Sequence, residues 1–150
     1  MRNKSKSGPD HSNKDWRNSN KTGESFRKFK LYKTRFEHSK LTNCNFSLVS
    51  AKHSCFIKVD LSGSDFTGAN LEDANFSSAN LTGVNFKNAI LNRTNFDGAN
   101  IDGASFINAN IKSAKNLKLS ETQLREIEDA KKAQKEANEV AKQARLAVVS

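Results

Sequence analysis

Cysteine and histidine, the residues most often found as thiol nucleophiles and soft metal ligands, are few in this chain and do not form a recognisable motif. The sequence holds 2 Cys and 3 His. Cys44 and Cys55 have neither a zinc-ligand spacing nor the arrangement of a disulfide framework, and His38 and His53 complete no such pattern. No glycine-rich phosphate loop is present. We therefore expect a protein that is not an enzyme, with no catalytic residue, metal or cofactor.

A basic segment is the strongest candidate for binding. The chain has a formal net charge of +9, and the excess of Lys and Arg over Asp and Glu lies almost entirely in residues 1–40. The candidate partner-binding residues are Arg27, Lys28, Lys30, Tyr32, Lys33 and Arg35. One interpretation is contact with nucleic acid, an anionic membrane or an acidic protein. The other is a solvated, charged cap that protects an exposed sheet edge.

Composition argues against an ordinary two-layer core. Hydrophobic residues make up 35% of the 150 residues, below the roughly 45–50% of a typical domain. Phe occurs 10 times against one Tyr and one Trp. The sequence contains neither a transmembrane run nor a secretory signal, so we expect a cytoplasmic protein.

A five-residue repeat dominates the middle of the chain. Large apolar residues, Phe alternating with Leu or Ile, recur at every fifth position from Phe26 to Ile111, with Ala51 the one small member. A small residue precedes most of these centres by two positions, Asn commonly precedes them by one, and Gly often follows them by two; over residues 24–58 the pattern is degenerate, with Phe29 in one of the small-residue positions. This period fits neither helix nor strand, so each unit must be a short extended piece followed by a corner. Glycine at one fixed phase supplies the positive φ that tight corners need.

The units from Phe66 onward, read as FTGAN LEDAN FSSAN, resemble the motif of the pentapeptide-repeat family. The resemblance covers roughly residues 24–115 and is densest over 64–112. It implies an all-β solenoid, a right-handed quadrilateral β-helix of about 4–5 coils with four units in each. The centres then form two columns of Phe between two columns of Leu and Ile. We expect the intervening Asn side chains to bond to one another and to the backbone between coils.

The two ends break the repeat. Residues 1–22 are predicted to be a disordered basic tail, residues 23–116 the solenoid, and residues 117–150 a C-terminal helix. Ser120 and Gln123 have the spacing of a capping box. Leu124 and Ile127 are expected to plug the open last coil, with the rest of the helix lying along a flank or projecting.

Two functions follow from these features. The first is a non-enzymatic scaffold that binds a macromolecular partner, foremost a protein, and possesses a basic end suited to a polyanion. The helix adds a surface for a homodimer or a partner groove, through Ala130, Ala137, Ala141, Ala144 and Val148.

The alternative rests on the resemblance, since some pentapeptide-repeat proteins mimic duplex DNA and bind DNA gyrase, protecting it from quinolones. Those mimics are strongly acidic, so the basic charge disfavours this alternative. The sequence does not identify the partner.

Overall fold

The backbone winds into a solenoid in which each coil holds 20 residues. The computed structural model describes residues 7–149. Every bridge joins residues 20 positions apart in parallel, from Asp10 paired with Lys30 to Asn95 paired with Lys115. Each strand is one bridge residue long, and bridge residues recur every five positions from Asp10 to Lys115. A coil therefore contains four five-residue units, as predicted, and about five coils stack to a height of roughly 25 Å.

Each unit turns a corner with the same backbone geometry. In a typical unit the Ala69 N–H donates to Phe66 O at 3.0 Å, which closes the corner. The second corner residue has a positive φ at every fifth position from Asn13 to Asn108, the pattern of a type II turn. Glycine occupies six of these positions, and residues such as Leu48 (φ 57°) and Lys58 (φ 55°) accept the same conformation. The fixed phase of glycine in the sequence is explained by this requirement.

The core is a set of four stacked columns. Phe46 and Phe66 stack with ring centroids 4.7 Å apart, and Phe66 meets Phe76 of the other Phe column edge-to-face at 5.8 Å. Leu41, Leu61 and Leu81 of an aliphatic column are fully buried. Each such side chain contributes about 1.5–3 kcal/mol by burial. Placing the large apolar residues on one axis lets a chain with 35% hydrophobic residues form a continuous core.

Polar residues in the inward small-residue positions are satisfied by the preceding coil. The hydroxyl of Ser64 donates to Leu41 O at 2.7 Å, and that of Thr94 donates to Leu71 O at 2.8 Å. Hydrogen bonds of the same kind join the first two coils: Ser39 Oγ donates to Trp16 O and Cys44 Sγ donates to Lys21 O. The polar residues that make the early repeats irregular therefore bind adjacent coils together.

Residues 7–22 form a solenoid coil, so the prediction of a disordered tail is wrong for this segment; residues 1–6 lie outside the described residues. The centres here are His11, Trp16 and Lys21, which hide the period because they are not aliphatic. Trp16 nevertheless continues the column of Phe36, with ring centroids 5.4 Å apart. The Lys21 ammonium lies 4.9 Å from the Trp16 ring, and His11 stacks on Phe29 at 5.1 Å. Aromatic packing thus replaces aliphatic packing at this end.

Helix α1, Glu121–Val149, closes the other end through a different residue than expected. Leu124 is 50% exposed, whereas Gln123 is buried beside Ile127. The Gln123 amide donates to Ile101 O at 2.8 Å and Ala104 O at 3.0 Å, which satisfies carbonyls of the last coil. Its Oε1 accepts from the Ser120 N–H at 2.9 Å, while Ser120 Oγ accepts from the Gln123 N–H, confirming the capping box. A polar side chain suits this end because the Ala104 carbonyl accepts from no backbone N–H among the described residues, while the Ile101 carbonyl already accepts from the Ala104 N–H.

Gly83 tests the corner geometry. Its φ is +66° and an added Cβ would meet nothing within 4 Å, so Gly83→Ala introduces backbone strain alone. We expect a loss of about 1 kcal/mol in the free energy of unfolding. Lys58→Gly, at an equivalent corner, should instead leave stability unchanged or raise it by up to about 1 kcal/mol. Urea denaturation measures both, and a stabilising Gly83→Ala would contradict the corner assignment.

Trp16 tests the first coil. It is the only tryptophan, so its fluorescence reports on this coil alone. We expect a blue-shifted emission in the native protein and an unfolding midpoint that coincides with that of far-UV circular dichroism. Trp16→Ala should cost about 1–3 kcal/mol, less than a fully buried aromatic, while Trp16→Phe should retain most of the stability. Identical emission in native and urea-unfolded protein would show that the coil does not form.

Candidate interaction surface

The structure divides the six basic-segment residues between two sides of the solenoid. Lys30 is a bridge residue, and the bridges stack it with Ser50, Asn70, Ile90 and Asn110. This column and the corner residues on both sides of it are called the Lys30 face. Five candidates lie there: Arg27 and Lys28 at one corner, Lys30 between, and Tyr32 and Lys33 at the other corner. Arg35 lies on the next side, where it forms an ion pair with Glu37 at 3.1 Å.

The Lys30 face carries the whole net charge of the described solenoid. Across residues 7–115 it has eight Lys and Arg against three Asp and Glu, whereas the rest of these residues have seven against seven. The eight cations of the face are Arg27, Lys28, Lys30, Lys33, Lys52, Lys87, Arg93 and Lys112, and its three acids are Asp10, Glu72 and Asp73. The positive charge is therefore a property of one face over its length. Counting charges along the sequence does not reveal this.

An ion-pair cluster neutralises part of this face. Glu72 pairs with Lys52 of the preceding coil at 2.9 Å and with Arg93 of the following coil. Asp73 pairs with Arg93 at 2.8 Å and lies 3.7 Å from His53. Hydrogen bonds from Lys52 and Arg93 lower the pKa of Glu72, and a hydrogen bond from Arg93 lowers the pKa of Asp73. Two of the eight cations are thereby committed to acids of the same face.

The other six cations have no ion pair with any residue in the range 7–149. Arg27 donates to Ser47 Oγ at 2.7 Å, and the Lys33 ammonium lies 5.2 Å from the Tyr32 ring. Lys28, Lys30, Lys87 and Lys112 are exposed. Lys30 lies next to Asp10 in its column, but none of the six is held in an ion pair within residues 7–149. Cations outside ion pairs attract an external anion, so this surface is electrostatically suited to a negatively charged partner.

The Asn side chains that follow the repeat serve the corners. Asn75 Oδ1 accepts from the Ser77 N–H at 2.9 Å, and Asn85 Oδ1 accepts from the Lys87 N–H at 2.9 Å. A few amides also reach another coil, such as Asn80 Nδ2 donating to Asp60 Oδ1 at 3.2 Å. The predicted bonding between coils is therefore secondary, because the carbonyl oxygen is mainly used within its own turn.

The thiols and imidazoles do not assemble into a reactive site. Cys44 is buried and Cys55 half-buried, in the inward and outward positions that the repeat predicts. Burial raises the pKa of both thiols, which keeps them protonated at neutral pH. Within residues 7–149, no three His, Cys, Asp or Glu residues are grouped to hold a metal ion. No helix in this range is both long and apolar enough to cross a bilayer.

Helix α1 projects from the solenoid beside the Lys30 face. Gln123 and Ile127 are the buried residues of this helix and Ala130 is half-buried, whereas all residues from 131 to 149 are exposed. A cleft of about 330 Å³ separates α1 from the last coil, between Ile127 and Lys131 on the helix and residues 108–112 on the Lys30 face. A neighbouring cleft of about 450 Å³ is lined by Asn108, Lys131, Gln134, Lys135, Asn138, Glu139 and Lys142. The helix and the face therefore enclose an angle rich in lysine.

The predicted oligomerisation residues occupy two environments. Ala130 is half-buried against the solenoid end, whereas Ala137, Ala141, Ala144 and Val148 are exposed, Val148 by 86%. These residues and Ile127 form one stripe along α1. The stripe packs on the last coil at Ile127 and Ala130, and from Ala137 onward no described residue covers it.

The chain belongs to the pentapeptide repeat family. The model of the pentapeptide repeat region matches residues 29–106. A pentapeptide repeat protein from the Arabidopsis thaliana thylakoid lumen is similar in structure, with 32% sequence identity over 72% of this chain and 73% of its own, and a TM-score of 0.54. A search of curated proteins found no match.

A second solved structure shares the fold at lower identity. It is HetL, a pentapeptide repeat protein involved in heterocyst differentiation regulation in the cyanobacterium Nostoc. The identity is 20%, the TM-score is 0.54, and the match covers 65% of this chain. The chain spans 43% of the length of HetL. These comparisons establish the family and its β-helix fold, and Glu121–Val149 adds a helix to it.

The Arg93 cluster predicts a pH-dependent contribution to stability. Because the pKa values of Glu72 and Asp73 are lowered in the folded state, the pairs stabilise it above the unfolded carboxyl pKa of about 4, and this stabilisation is lost as the pH falls. We expect Arg93→Gln to lower the thermal midpoint at about pH 7 and to have a smaller effect at about pH 3. An equal effect at both values would show that Arg93 acts through packing rather than charge.

Proposed function

We propose that the protein is a non-enzymatic scaffold that binds an anionic macromolecular partner through the Lys30 face. The observation that carries this proposal is the concentration of the net positive charge on one face of a rigid stack, with six of its eight cations free of ion pairs within residues 7–149. Membership of a repeat family supports a role in binding rather than catalysis. The right-handed, four-sided form and the cytoplasmic location stay predictions.

A capture experiment with matched variants tests the proposal. The full chain serves as bait beside Lys28→Glu/Lys30→Glu/Lys33→Glu, which reverses one end of the face. The control is Lys14→Glu/Lys40→Glu/Lys58→Glu, which makes the same change in net charge on other sides of the solenoid. We expect a partner that is lost with the face variant and kept with the control. Equal retention by all three chains would leave the face as a solvated surface.

Removing residues 1–22 is unsuitable for this test, because it deletes a coil. Thr34 Oγ1 donates to His11 O and Ser39 Oγ donates to Trp16 O, so the deletion also strips buried hydroxyls of their acceptors. Point substitutions at exposed lysines leave those bonds intact.

Gyrase binding by DNA mimicry is less well supported. The net charge of +9 and the basic face are opposite in sign to the phosphate backbone that such a mimic imitates. Direct binding to purified gyrase in the absence of DNA separates the two ideas, because a mimic binds the enzyme itself and a basic scaffold of this kind does not.

We also propose that α1 pairs with a second copy through its exposed stripe. Ala137, Ala141 and Ala144 allow close approach of another helix, and Val148 adds apolar area. Light scattering at tens of micromolar should show a dimer for the full chain and a monomer for Ala141→Glu/Ala144→Glu. Gln143→Glu adds charge away from the stripe and should remain dimeric. A monomeric mass for the unchanged chain overturns this pairing.

A further inference from the structure

We infer that duplex DNA is the partner of the Lys30 face and lies along it into the angle beneath α1. This inference rests on the proposed function and specifies the chemistry of its partner. Three features of the face support it: the spacing of its cations, the polar side chains between them and the second basic arm supplied by the helix.

The cations are spread along the face. Four of the six unpaired cations lie on one coil, and two lie three and four coils beyond it: Arg27, Lys28, Lys30 and Lys33, then Lys87 and Lys112. From the level of Lys30 to that of Asn110 the stack rises by about 19 Å, since four rungs separate them. Duplex DNA carries one charge per about 1.7 Å, so about eleven phosphates lie along that length. An elongated polyanion satisfies such a distribution better than a single acidic patch does.

Several positions between the cations carry neutral hydrogen-bonding groups. Ser50, Asn70 and Asn110 share the column of Lys30, and Asn88 and Asn108 share the corner of Lys28. Hydroxyl and amide donors of this kind contact phosphate and sugar oxygens in protein–DNA interfaces.

The apolar side chains exposed on this face do not form a patch. Tyr32 and Leu48 lie at opposite corners, and Ile90 lies two coils beyond Leu48. A protein interface normally has an apolar centre, and single strands are held by aromatic stacking platforms. The Lys30 face has neither an apolar centre nor a stacking platform, which favours duplex DNA bound through its sugar–phosphate backbone.

Helix α1 supplies the second arm. The clefts between it and the last coil are lined by Lys112, Lys131, Lys135 and Lys142, with Glu139 as the one acid of the lining. Lys131 also forms an exposed ion pair with Glu128 at 3.7 Å. Residues 131–149 extend about 28 Å beyond the contact with the solenoid. A rod-shaped polyanion following the Lys30 face towards this end therefore meets lysines on two sides.

Fluorescence anisotropy with a short labelled DNA duplex of mixed sequence tests the inference on the full chain. With about six phosphate contacts, affinity should fall by about a thousandfold between 50 and 200 mM salt, at a log–log slope near −5. Lys28→Glu/Lys30→Glu/Lys33→Glu should reduce that slope by half or more and weaken binding at least a hundredfold. Lys112→Glu/Lys131→Glu should weaken it about tenfold. The control Lys14→Glu/Lys40→Glu/Lys58→Glu should change affinity by less than tenfold.

A gain of affinity provides a test that misfolding does not imitate. Glu72→Gln/Asp73→Asn releases Lys52 and Arg93 from their acids on the same face. We expect tighter binding by about tenfold and a slope steeper by up to about 2. Thermal melts followed by circular dichroism verify that each variant is folded.

Several outcomes overturn the inference. These are the absence of binding at about 50 mM salt, equal losses in the face and control variants, or tighter binding to an RNA duplex or to phosphatidylglycerol vesicles. Where DNA fails but the capture experiment still loses a protein with the face variant, the inference is wrong and the proposed function stands. Where the face variant changes neither result, both are wrong.

Discussion

The corner with a positive φ every five residues is the constraint on which the rest of this structure depends. Four such corners complete a coil of 20 residues, so each residue stacks on the one 20 positions further along the chain. A repeated sequence then becomes a set of columns: Phe on Phe, Leu on Leu, and cation beside cation. Both the core and the charged face are consequences of this single register. Inserting or deleting one residue in a corner would shift the register of every column that follows it.

The sequence predicted the solenoid where its period is visible and failed where the period is disguised. Columns of Phe and Leu follow directly from the spacing of centres such as Phe66 and Leu71. His11, Trp16 and Lys21 occupy the same positions without an aliphatic side chain, and the coil they build depends on ring contacts and on bonds from Thr34 and Ser39. Such tertiary compensation leaves no periodic signal. Gln123 was missed for a related reason, because its role depends on the Ala104 carbonyl of the last coil, which no backbone N–H reaches among the described residues.

The candidate surface was only partly predictable. Arg27, Lys28, Lys30 and Lys33 are adjacent in sequence and were expected to act together. Lys87 and Lys112 join them only after the chain has been folded at 20 residues per coil, and Arg35 leaves the group because it turns onto the next side. Glu72 and Asp73 lie in the same columns as Lys52 and Arg93, so the neutral part of the surface is also a consequence of the register. A charge count along the chain gives the excess of positive charge but not the side of the solenoid on which that charge lies.

The register itself is tested most directly by disulfide cross-linking. In a background with Cys44→Ser and Cys55→Ser, the pair Lys30→Cys and Ser50→Cys lies on adjacent rungs of one column, about 5 Å apart, within the range of a disulfide. The account predicts rapid oxidation to an intramolecular disulfide in the native protein, seen as a shift in non-reducing gels, and none for Lys30→Cys with Asn45→Cys, which lie in different columns. Equal cross-linking of both pairs, or cross-linking of the second pair alone, would contradict the 20-residue coil and the face built on it.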